Sequence, residues 1–405
     1  MTATLETSQP TRHNRLARLG EPMALYYWLL GATALLLGIG LATVLSASSY
    51  RSQRAYGTPY FFFERQLLFA VIGVAVMLLA SRLPVRLWRA VAWLTYFGAL
   101  GLLLLVLVVG VVVNGHRNWI AIGGPIRIQP SEFAKFALVV WGAHVLTSKA
   151  NAPRTWTHLL VPLLPGGALL ILLVAAEGDL GTAMVMTPIL FALFFIAGAP
   201  MRLFVTMGAV ALGGIAILSL RHGYRVGRFY AWLHPSSDPL GTGYQVMQGK
   251  AAMGSGGILG VGLGASRGKW GWLPEAHTDF IYAVVGEELG LIGTLLLLGA
   301  FVVIALCLLT LSRRTTSTFT RYAAFAILAW IFGQALVNIG AVLGLLPVTG
   351  IPLPLVSYGG SSLIPTLLAI GLALGLARQD ARGATPDTDS VEPNQRRSRR
   401  VRAAA

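Results

Sequence analysis

The sequence contains little of what most soluble proteins depend on. Only 11% of its 405 residues are charged, whereas ordinary globular domains carry about 25%. Cys307 is the single cysteine, which excludes an intrachain disulfide. No two His or Cys residues have the spacing of a zinc ligand set, so we expect no dedicated zinc site. Acidic residues are scarce as well, at 15 against 31 Lys and Arg.

Hydrophobic residues make up 55% of the chain and recur in long runs. A run of about 18 residues or more is long enough to cross a bilayer as a helix. The sequence therefore predicts an all-α polytopic membrane protein with about ten transmembrane helices and a large extracytoplasmic loop, 221–279, between helices 7 and 8. The predicted spans are 24–46, 66–83, 87–113, 131–148, 158–176, 180–198, 201–220, 280–311, 320–346 and 356–377.

The distribution of Arg and Lys predicts the orientation of these spans. With the N-terminus inside, 19 of the 31 basic residues lie in inner segments, as the positive-inside rule requires. Ten spans put both termini on the same side, so we expect both in the cytoplasm. The polar tails 1–20 and 379–405 lack an apolar face and are predicted to be disordered around a transmembrane domain, 21–378. The inner loops and the basic tail account for much of the net charge of +16, so no nucleic-acid partner is expected.

Nine acidic residues outside the termini form the most informative pattern. On the predicted topology, all nine lie in outer loops or at the outer ends of spans. A charge facing lipid costs at least ~2.5–3.5 kcal/mol at mid-bilayer, so buried acids are usually paired or functional. The set predicts a polar cavity that opens outward; the alternative is a group of ion pairs that hold helix ends together. The nine are Glu64, Glu132, Glu177, Asp179, Asp238, Glu275, Asp279, Glu287 and Glu288.

Two of the acidic stretches lie next to predicted helix starts. In IQPSEFAK, Pro130 suits the first turn of a helix, and Glu132 lies three residues from Lys135, close enough to pair along one face. Arg117 lies in the loop just before. In EGDLGT, Asp179 lies in a very short turn between two spans, where we expect it to form a structural ion pair; the alternative is that it caps the next helix.

The long outer loop is rich in glycine and carries Lys250, Arg267 and Lys269. A glycine-rich turn with nearby cations offers backbone N–H groups and positive charge to a phosphate. A flexible loop with no ligand is the alternative.

The stretch LGLLPVTGIPLPLVSYGGSSLIP (343–365) contains Ser357 and several prolines, and we expect an irregular, re-entrant segment there. Non-helical backbone at membrane depth is tolerated where it lines a cavity or is buried in protein. A simple outer loop is the alternative.

The stretch GWLPEAHTDFIYAVVGEELG concentrates ionisable groups at the start of the eighth span. Asp279 is predicted in the first helical turn, with Glu275 and His277 flanking it. At about 100° per residue, Glu287 falls on the same wall of the helix as Asp279. Glu288 lies roughly opposite and is predicted to pair with another helix as a structural ion pair.

Together these stretches resemble the SEDS family of bacterial cell-wall polymerases, from about residue 24 to residue 378. PEAHTDFI with GEELG is more similar to the division-type members (FtsW) than to the elongation-type members (RodA). Two positions depart from the family pattern: Gly178, where proline is usual, and Asn118, an extra residue in HRNWI. The matching stretches are FFFERQ, NGHRNWIAIG, IQPSEFAK, EGDLGT, GTGYQVMQGKAAMGSGGILGVGLGASRGKW, LPEAHTDFIYAVVGEELG, NIGAVLGLLPVTGIPLP and VSYGGSSL.

The resemblance implies a peptidoglycan glycosyltransferase that polymerises lipid II at the outer face of the bacterial cytoplasmic membrane, for septal wall synthesis in cell division. It implies a class B penicillin-binding protein as the cross-linking partner, together with other divisome membrane proteins. It places the family's essential acid at Asp279, its Glu/Lys pair at Glu132 and Lys135, and its DLGT aspartate at Asp179.

The implied reaction sets chemical requirements. A sugar hydroxyl attacks an anomeric carbon while a diphosphate leaves, which calls for a general base and an anion-stabilising site. Asp279 is the predicted base. A divalent cation, Mg²⁺ or Mn²⁺, shared by the acids and the diphosphate is compatible with this chemistry. The predicted substrate contacts, in which the basic residues would contact phosphate, are Arg117, Glu132, Lys135, His277, Glu275, Lys250, Lys269 and Ser357.

Three other functions stay open on the sequence alone. A lipid II flippase or transporter would bind its substrate near the midplane, often between inverted repeats. The outward position of the acids and the absence of a visible repeat favour surface chemistry instead. A non-catalytic scaffold for division proteins would not need a crowded acidic cavity. The third alternative is the elongation-type polymerase.

Overall fold

The computed structural model describes residues 22–113, 116–123, 126–150, 160–220, 232 and 242–383. A helix overlaps each of the ten predicted spans in this part of the chain, although not every span is helical over its full predicted length. The elements are α1 (Pro22–Tyr56), α2 (Phe61–Ala80), α3 (Val85–Ala90), α4 (Ala92–Val109), β1 (Val111–Val113), β2 (His116–Gly123), β3 (Ile126–Ile128), α5 (Pro130–Ser148), α6 (Leu163–Ala176), α7 (Leu180–Ile196), α8 (Met201–Leu220), α9 (Thr242–Gly256), α10 (Ile281–Arg314), α11 (Thr318–Val342) and α12 (Gly360–Ala381).

The helices have the length and apolarity that a bilayer demands. Six described helices (α1, α2, α4, α10, α11 and α12) are long and apolar enough to cross a membrane, and three shorter apolar helices accompany them. A helix satisfies its own backbone hydrogen bonds, which is why it is the usual spanning element in lipid. The predicted class, an all-α polytopic membrane protein, is confirmed.

Helix α10 lies at the centre of the packing that matters for the site. It contacts α1, α9 and α11, while α11 also contacts α5 and α7, and α12 packs on α1 and α2. Side chains such as Phe301 of α10 and Trp330 of α11 are fully buried. Because lipid tails are as apolar as these side chains, close packing and interhelical hydrogen bonds hold the bundle together.

The region after α4 differs from the prediction. The span predicted to reach residue 113 ends at Val109, and the strands β1, β2 and β3 pair as an antiparallel three-stranded sheet in the order β1-β2-β3. Gly110 has extended backbone angles (φ −63°, ψ 144°), which end the helix. The β-branched run Val111–Val113 then favours a strand. Apolarity alone did not distinguish that run from more helix.

The long loop predicted at 221–279 also contains structure that was not predicted. Helix α9 occupies part of it, and α10 begins at Ile281 instead of including Asp279. Helix α12 runs three residues beyond the predicted domain end at 378. The predicted disordered tails lie outside the described residues, apart from 379–383, and so do residues 221–231 and 233–241 of the loop.

Helix α10 is broken at Gly290, where φ is 66° and ψ is −160°. A β-carbon there would lie 2.4 Å from the Gly260 nitrogen, so only glycine fits both the conformation and the contact. The glycine-rich stretch packs into this break, with Leu291 N donating to Gly257 O at 3.0 Å. The glycines predicted to form a loop thus join that loop to the break in α10.

The proline-rich segment, residues 343–359, enters the bundle between α11 and α12. Its residues Ile351, Leu353 and Val356 are buried, so the segment is part of the core. Gly40 of α1 packs directly on it: a β-carbon at that position would lie 2.7 Å from Val356 Cα. This close contact places the segment beside α1 in the core of the protein.

Gly40→Ala should therefore destabilise the protein, by about 1–3 kcal/mol, because the added methyl has no room against backbone atoms. Gly38→Ala on the same helix is the matched control, since a β-carbon there meets nothing within 4 Å. Thermal unfolding of the two purified variants in detergent measures the difference. Equal midpoints would contradict the close contact of α1 with the proline-rich segment.

Candidate functional site

Asp279 lies directly before α10, and its loop is held by hydrogen bonds to two other parts of the fold. Asn338 of α11 donates its side-chain amide to Asp279 O at 2.8 Å. Ser357 Oγ donates to Thr278 O at 2.6 Å, and the backbone N of Tyr358 donates to His277 O at 2.9 Å. The partly exposed side chain points toward Gly350, where a β-carbon would lie 3.5 Å from Asp279 Oδ2. The proline-rich segment therefore forms one wall beside this carboxylate.

A buried chain of polar groups runs from α5 to the same segment. Lys135 Nζ lies 2.9 and 2.8 Å from the two carboxylate oxygens of Glu132, as their spacing predicted. It also donates to Gln334 Oε1 at 2.9 Å, and Gln334 Nε2 donates to Pro352 O at 2.9 Å. The ammonium lies 5.2 Å from the centre of the Trp330 ring. The charge of Lys135 is thus surrounded by a carboxylate, an amide oxygen and an aromatic face.

Gln334 and Asn338 are functional-site residues that sequence reasoning missed. They lie four residues apart on α11, so they share one face of the helix. Asn338 Nδ2 donates to Ile351 O at 2.7 Å as well as to Asp279 O. The available signal was two amides at this spacing inside an apolar span, where polar side chains usually mark an internal contact.

Asp179 caps α7 and receives its hydrogen bonds from neutral donors in the described chain. Oδ1 accepts from Thr182 N at 3.0 Å, and Oδ2 accepts from Gln129 Nε2 at 2.6 Å and from Ser131 Oγ at 2.9 Å. These contacts are those of a helix cap, so the described residues do not provide the structural ion pair that the sequence predicted for Asp179. Gly178 has φ 85°, which proline cannot adopt, so this turn differs from one built around proline.

The two adjacent acids of α10 have different surroundings from those that the helical projection predicted. Glu287 Oε2 accepts from Ser266 Oγ at 2.5 Å, and Oε1 accepts from Arg267 N at 2.8 Å, so this carboxylate anchors the preceding loop. The projection was wrong for Glu287 because Asp279 lies before the helix. Glu288 is buried and accepts a hydrogen bond from Ser46 of α1, so its described partner is a hydroxyl on another helix rather than a cation.

Glu275 and His277 line a cavity of about 490 Å³ at the C-terminal end of α1. Glu275 lies 3.3 Å from Arg51 Nη1 and accepts from Thr278 Oγ1 at 2.8 Å. His277 is buried, with its ring centre 5.1 Å from that of Phe62 and 5.7 Å from that of Tyr358. Burial lowers the pKa of His277 to about 4, even though the Glu275 carboxylate opposes the shift. The imidazole is therefore neutral at pH 7.

The remaining predicted substrate residues do not all gather around Asp279. Arg117 Nη1 donates to Leu107 O at 3.2 Å, so it binds the last turn of α4. Lys250 of α9 packs over Gly344 at the start of the proline-rich segment. Ser357 is buried, and its hydroxyl also accepts from Leu353 N at 2.8 Å. Lys269 lies at the cavity wall with Glu275 and His277. Substrate contact by these residues stays a prediction.

Comparison with known families decides which group the fold and the site represent. A family model described as cell cycle protein, covering FtsW, RodA and SpoVE, matches residues 27–382. The chain belongs to the FtsW/RodA/SpoVE family. The matched range contains the described site, from α1 through α12.

Named relatives of this FtsW/RodA/SpoVE member cover most of the chain. It is 40% identical over 366 residues to a probable peptidoglycan glycosyltransferase FtsW of Mycobacterium tuberculosis, covering 90% of this chain and 70% of that protein. It is 41% identical over 348 residues to stage V sporulation protein E of Bacillus subtilis, covering 85% and 95%.

Solved structures agree with the fold. One similar chain comes from a peptidoglycan synthase complex studied for its coordination of polymerization and crosslinking, with TM-score 0.73, 29% identity, and coverage of 87% of this chain and 98% of that one. Another is the rod shape determining protein RodA of Thermus thermophilus, with TM-score 0.65, 29% identity, and coverage of 87% and 97%. The chain is thus a multi-pass membrane protein of this family.

Lys135→Met should cost about 3–5 kcal/mol of stability, because it leaves the Glu132 carboxylate buried without its cation. The double variant Glu132→Gln/Lys135→Met removes both charges and should recover much of the loss. Arg51→Met is a control, because its pair with Glu275 is exposed and worth about 1 kcal/mol or less. Thermal unfolding in detergent ranks the three variants, and a double variant less stable than Lys135→Met would contradict the buried pair.

The low pKa of His277 predicts a pH dependence of stability. As pH falls from about 6.5 to about 4, the unfolded chain binds a proton at this residue before the folded protein does, so stability falls across that window. His277→Gln, which cannot titrate, should flatten the curve of unfolding midpoint against pH between these values. An unchanged slope would show that His277 is not held in its neutral form.

Proposed function

We propose that the chain is a peptidoglycan glycosyltransferase that polymerises lipid II into glycan strands. The observation that carries the proposal is the position of Asp279 within a member of this family. Its carboxylate is partly exposed beside the proline-rich segment, while its backbone is fixed by Asn338 and by the neighbouring contact with Ser357. A general base needs this combination of access and fixed position.

In the proposed reaction, Asp279 accepts the proton of the acceptor sugar hydroxyl as the hydroxyl oxygen attacks the anomeric carbon of the donor. The new C–O bond forms while the bond from that carbon to the diphosphate oxygen breaks, and the diphosphate leaves with the bonding electrons. Asp279 then releases its proton to solvent. Because diphosphate is already a good leaving group, the protein needs positive charge near it more than a strong general acid.

The Glu132–Lys135 pair acts indirectly in this scheme, through residues that lie between it and Asp279. Lys135 reaches Pro352 O through Gln334, and the segment that contains Pro352 borders Asp279. Both charged residues are nearly fully buried, so we assign them to positioning that segment. Their direct contact with substrate, predicted from the sequence, is a weaker alternative on these contacts.

A divalent cation is not assigned a step. No three His, Cys, Asp or Glu side chains of the described ranges converge as a metal ligand set. Mg²⁺ is usually held by one or two carboxylates together with substrate phosphates, so a Mg²⁺ or Mn²⁺ ion shared with the diphosphate stays a prediction, and the steps above use none.

The cellular setting belongs to the same proposal. The chain would lie in the bacterial cytoplasmic membrane with both termini in the cytoplasm, which brings Asp279 to the outer face where lipid-linked precursors are presented. The FtsW name of the Mycobacterium tuberculosis relative supports a septal, division-type role over an elongation-type role. The similar chain in a synthase complex supports pairing with a class B penicillin-binding protein as cross-linking partner, and other divisome membrane proteins complete the expected set.

Asp279→Asn should abolish glycan polymerisation, with a loss of at least about 100-fold, because the amide cannot accept the proton. Purified protein with its cognate penicillin-binding partner and fluorescent lipid II gives the readout as polymer on a gel. Asp380→Asn is the matched control, an acid at the far end of α12 that should leave polymerisation unchanged.

Full activity of Asp279→Asn would end the assignment of the base. A parallel liposome assay tests the flippase alternative. If labelled lipid II crosses the bilayer and no polymer forms with the wild-type protein, the proposed enzyme function is wrong.

A further inference from the structure

One wall of the cavity of about 490 Å³ is basic, and its residues have no role in the reaction steps proposed above. Arg51 and Arg54 lie three residues apart in the last turns of α1, so both side chains project toward one side. Lys269 reaches the same cavity from the loop before α10. The other ionisable lining groups are Glu275, the neutral His277 and the phenol of Tyr50. The cavity thus carries three positive charges against one negative charge.

Two of these cations have no acidic partner in the described residues. Arg51 lies 3.3 Å from Glu275, but no described carboxylate pairs with Arg54 or Lys269. The arginine Arg51 keeps 55% of its side chain exposed despite its ion pair. Planar guanidinium groups match the oxygens of phosphate and bind them through paired hydrogen bonds. The unneutralised charge therefore points to a phosphate-bearing ligand.

The basic wall is held in place from behind. Glu287 accepts hydrogen bonds from Ser266, Arg267 N and Gly268 N, the last at 3.3 Å, and so fixes the loop that carries Lys269. The next residue, Trp270, packs its ring 5.2 Å from that of Tyr50 on α1. A buried carboxylate and an aromatic pair thus set the separation between Lys269 and the arginines of α1.

The cavity also adjoins the proposed base. His277 lines it and lies two residues before Asp279, a separation that the backbone limits to about 7 Å between α-carbons. A volume of about 490 Å³ lies in the usual range of ligand sites, roughly 300–1,000 Å³, and exceeds the needs of a diphosphate alone. A ligand could therefore place its phosphates on the basic wall and its sugar toward Asp279.

We propose that Arg51, Arg54 and Lys269 form a binding site for lipid-borne phosphate, and that its occupant during catalysis is the diphosphate of a lipid-linked sugar. This assignment of the occupant rests on the proposed function. In the free protein the Glu275 carboxylate pairs with the Arg51 guanidinium, and an arriving phosphate displaces this carboxylate. Arg51 and Arg54 then stabilise the negative charge that grows on the diphosphate as it leaves.

The test measures binding in full-length protein that carries Asp279→Asn, so that turnover does not intervene. Fluorescent lipid II is titrated in phosphatidylcholine nanodiscs, with anisotropy as the readout. Arg51→Ala/Arg54→Ala should weaken binding about tenfold or more, whereas the lysine pair Arg51→Lys/Arg54→Lys should retain much of it. Arg313→Ala/Arg314→Ala removes two exposed arginines at the opposite end of α10 and should change nothing.

Glu275→Gln separates binding from a structural role. If Arg51 contacts phosphate, losing its carboxylate competitor should leave binding unchanged or tighter. If the ion pair only positions the loop, Glu275→Gln should weaken binding as much as the double alanine variant does, and the proposal is wrong. Should the double alanine variant fail to fold, Arg54→Gln alone tests the site, because no described carboxylate pairs with Arg54.

Two further arms identify the source of the phosphate. Competition by inorganic diphosphate, but not by nanodiscs enriched in phosphatidylglycerol, assigns the site to the lipid-linked sugar. Competition by phosphatidylglycerol assigns the site to a phospholipid headgroup. That result would support a phosphate-binding site but contradict the diphosphate of a lipid-linked sugar as its occupant during catalysis. Equal affinity of the double alanine variant and the Arg313/Arg314 control overturns the site altogether. Polymerisation of lipid II by the wild-type protein, measured in parallel, tests the proposed enzyme function separately from the phosphate site.

Discussion

Backbone polar groups buried in an irregular segment are the constraint on which the site depends. Prolines at 347, 352 and 354 prevent the proline-rich segment from forming a regular helix, although several of its residues are buried in the bundle. Its carbonyl groups therefore need donors from elsewhere, since an unsatisfied group in an apolar interior is costly. Asn338 and Gln334 of α11 supply them for Ile351 and Pro352, and Gln66 of α2 donates to Ser357 O at 3.1 Å.

The donors that satisfy this segment also position the charged groups. The amide of Asn338 serves Ile351 and Asp279 together, and Gln334 joins Pro352 to the ammonium of Lys135. One face of α11 thus joins a buried ion pair to the loop that carries the proposed base. Preorganisation of this kind keeps a carboxylate in place without closing it off from water, as proton transfer to a substrate requires.

Much of the fold follows from the sequence because apolar length and helix-start signals are local properties. The same is true of the Glu132–Lys135 pair, which depends on a spacing of three residues. Contacts between segments that are distant in the sequence could not be predicted from such local properties. Nothing in a single sequence pairs Gln334 with Pro352, and the helical projection of Glu287 relative to Asp279 failed because the helix begins two residues after the aspartate. The valines after Gly110 form a strand because the helix ends there, which apolarity alone does not reveal.

The proposed reaction requires a carboxylate at position 279 that meets water on the outer side of the membrane. The single cysteine of the protein, Cys307, is buried in α10. In a Cys307→Ser background, a cysteine introduced elsewhere is the only thiol available for labelling. In that background, Asp279→Cys should react with a membrane-impermeant maleimide applied to intact cells. Reaction only after the membrane is permeabilised, or none in the folded protein, would contradict the account.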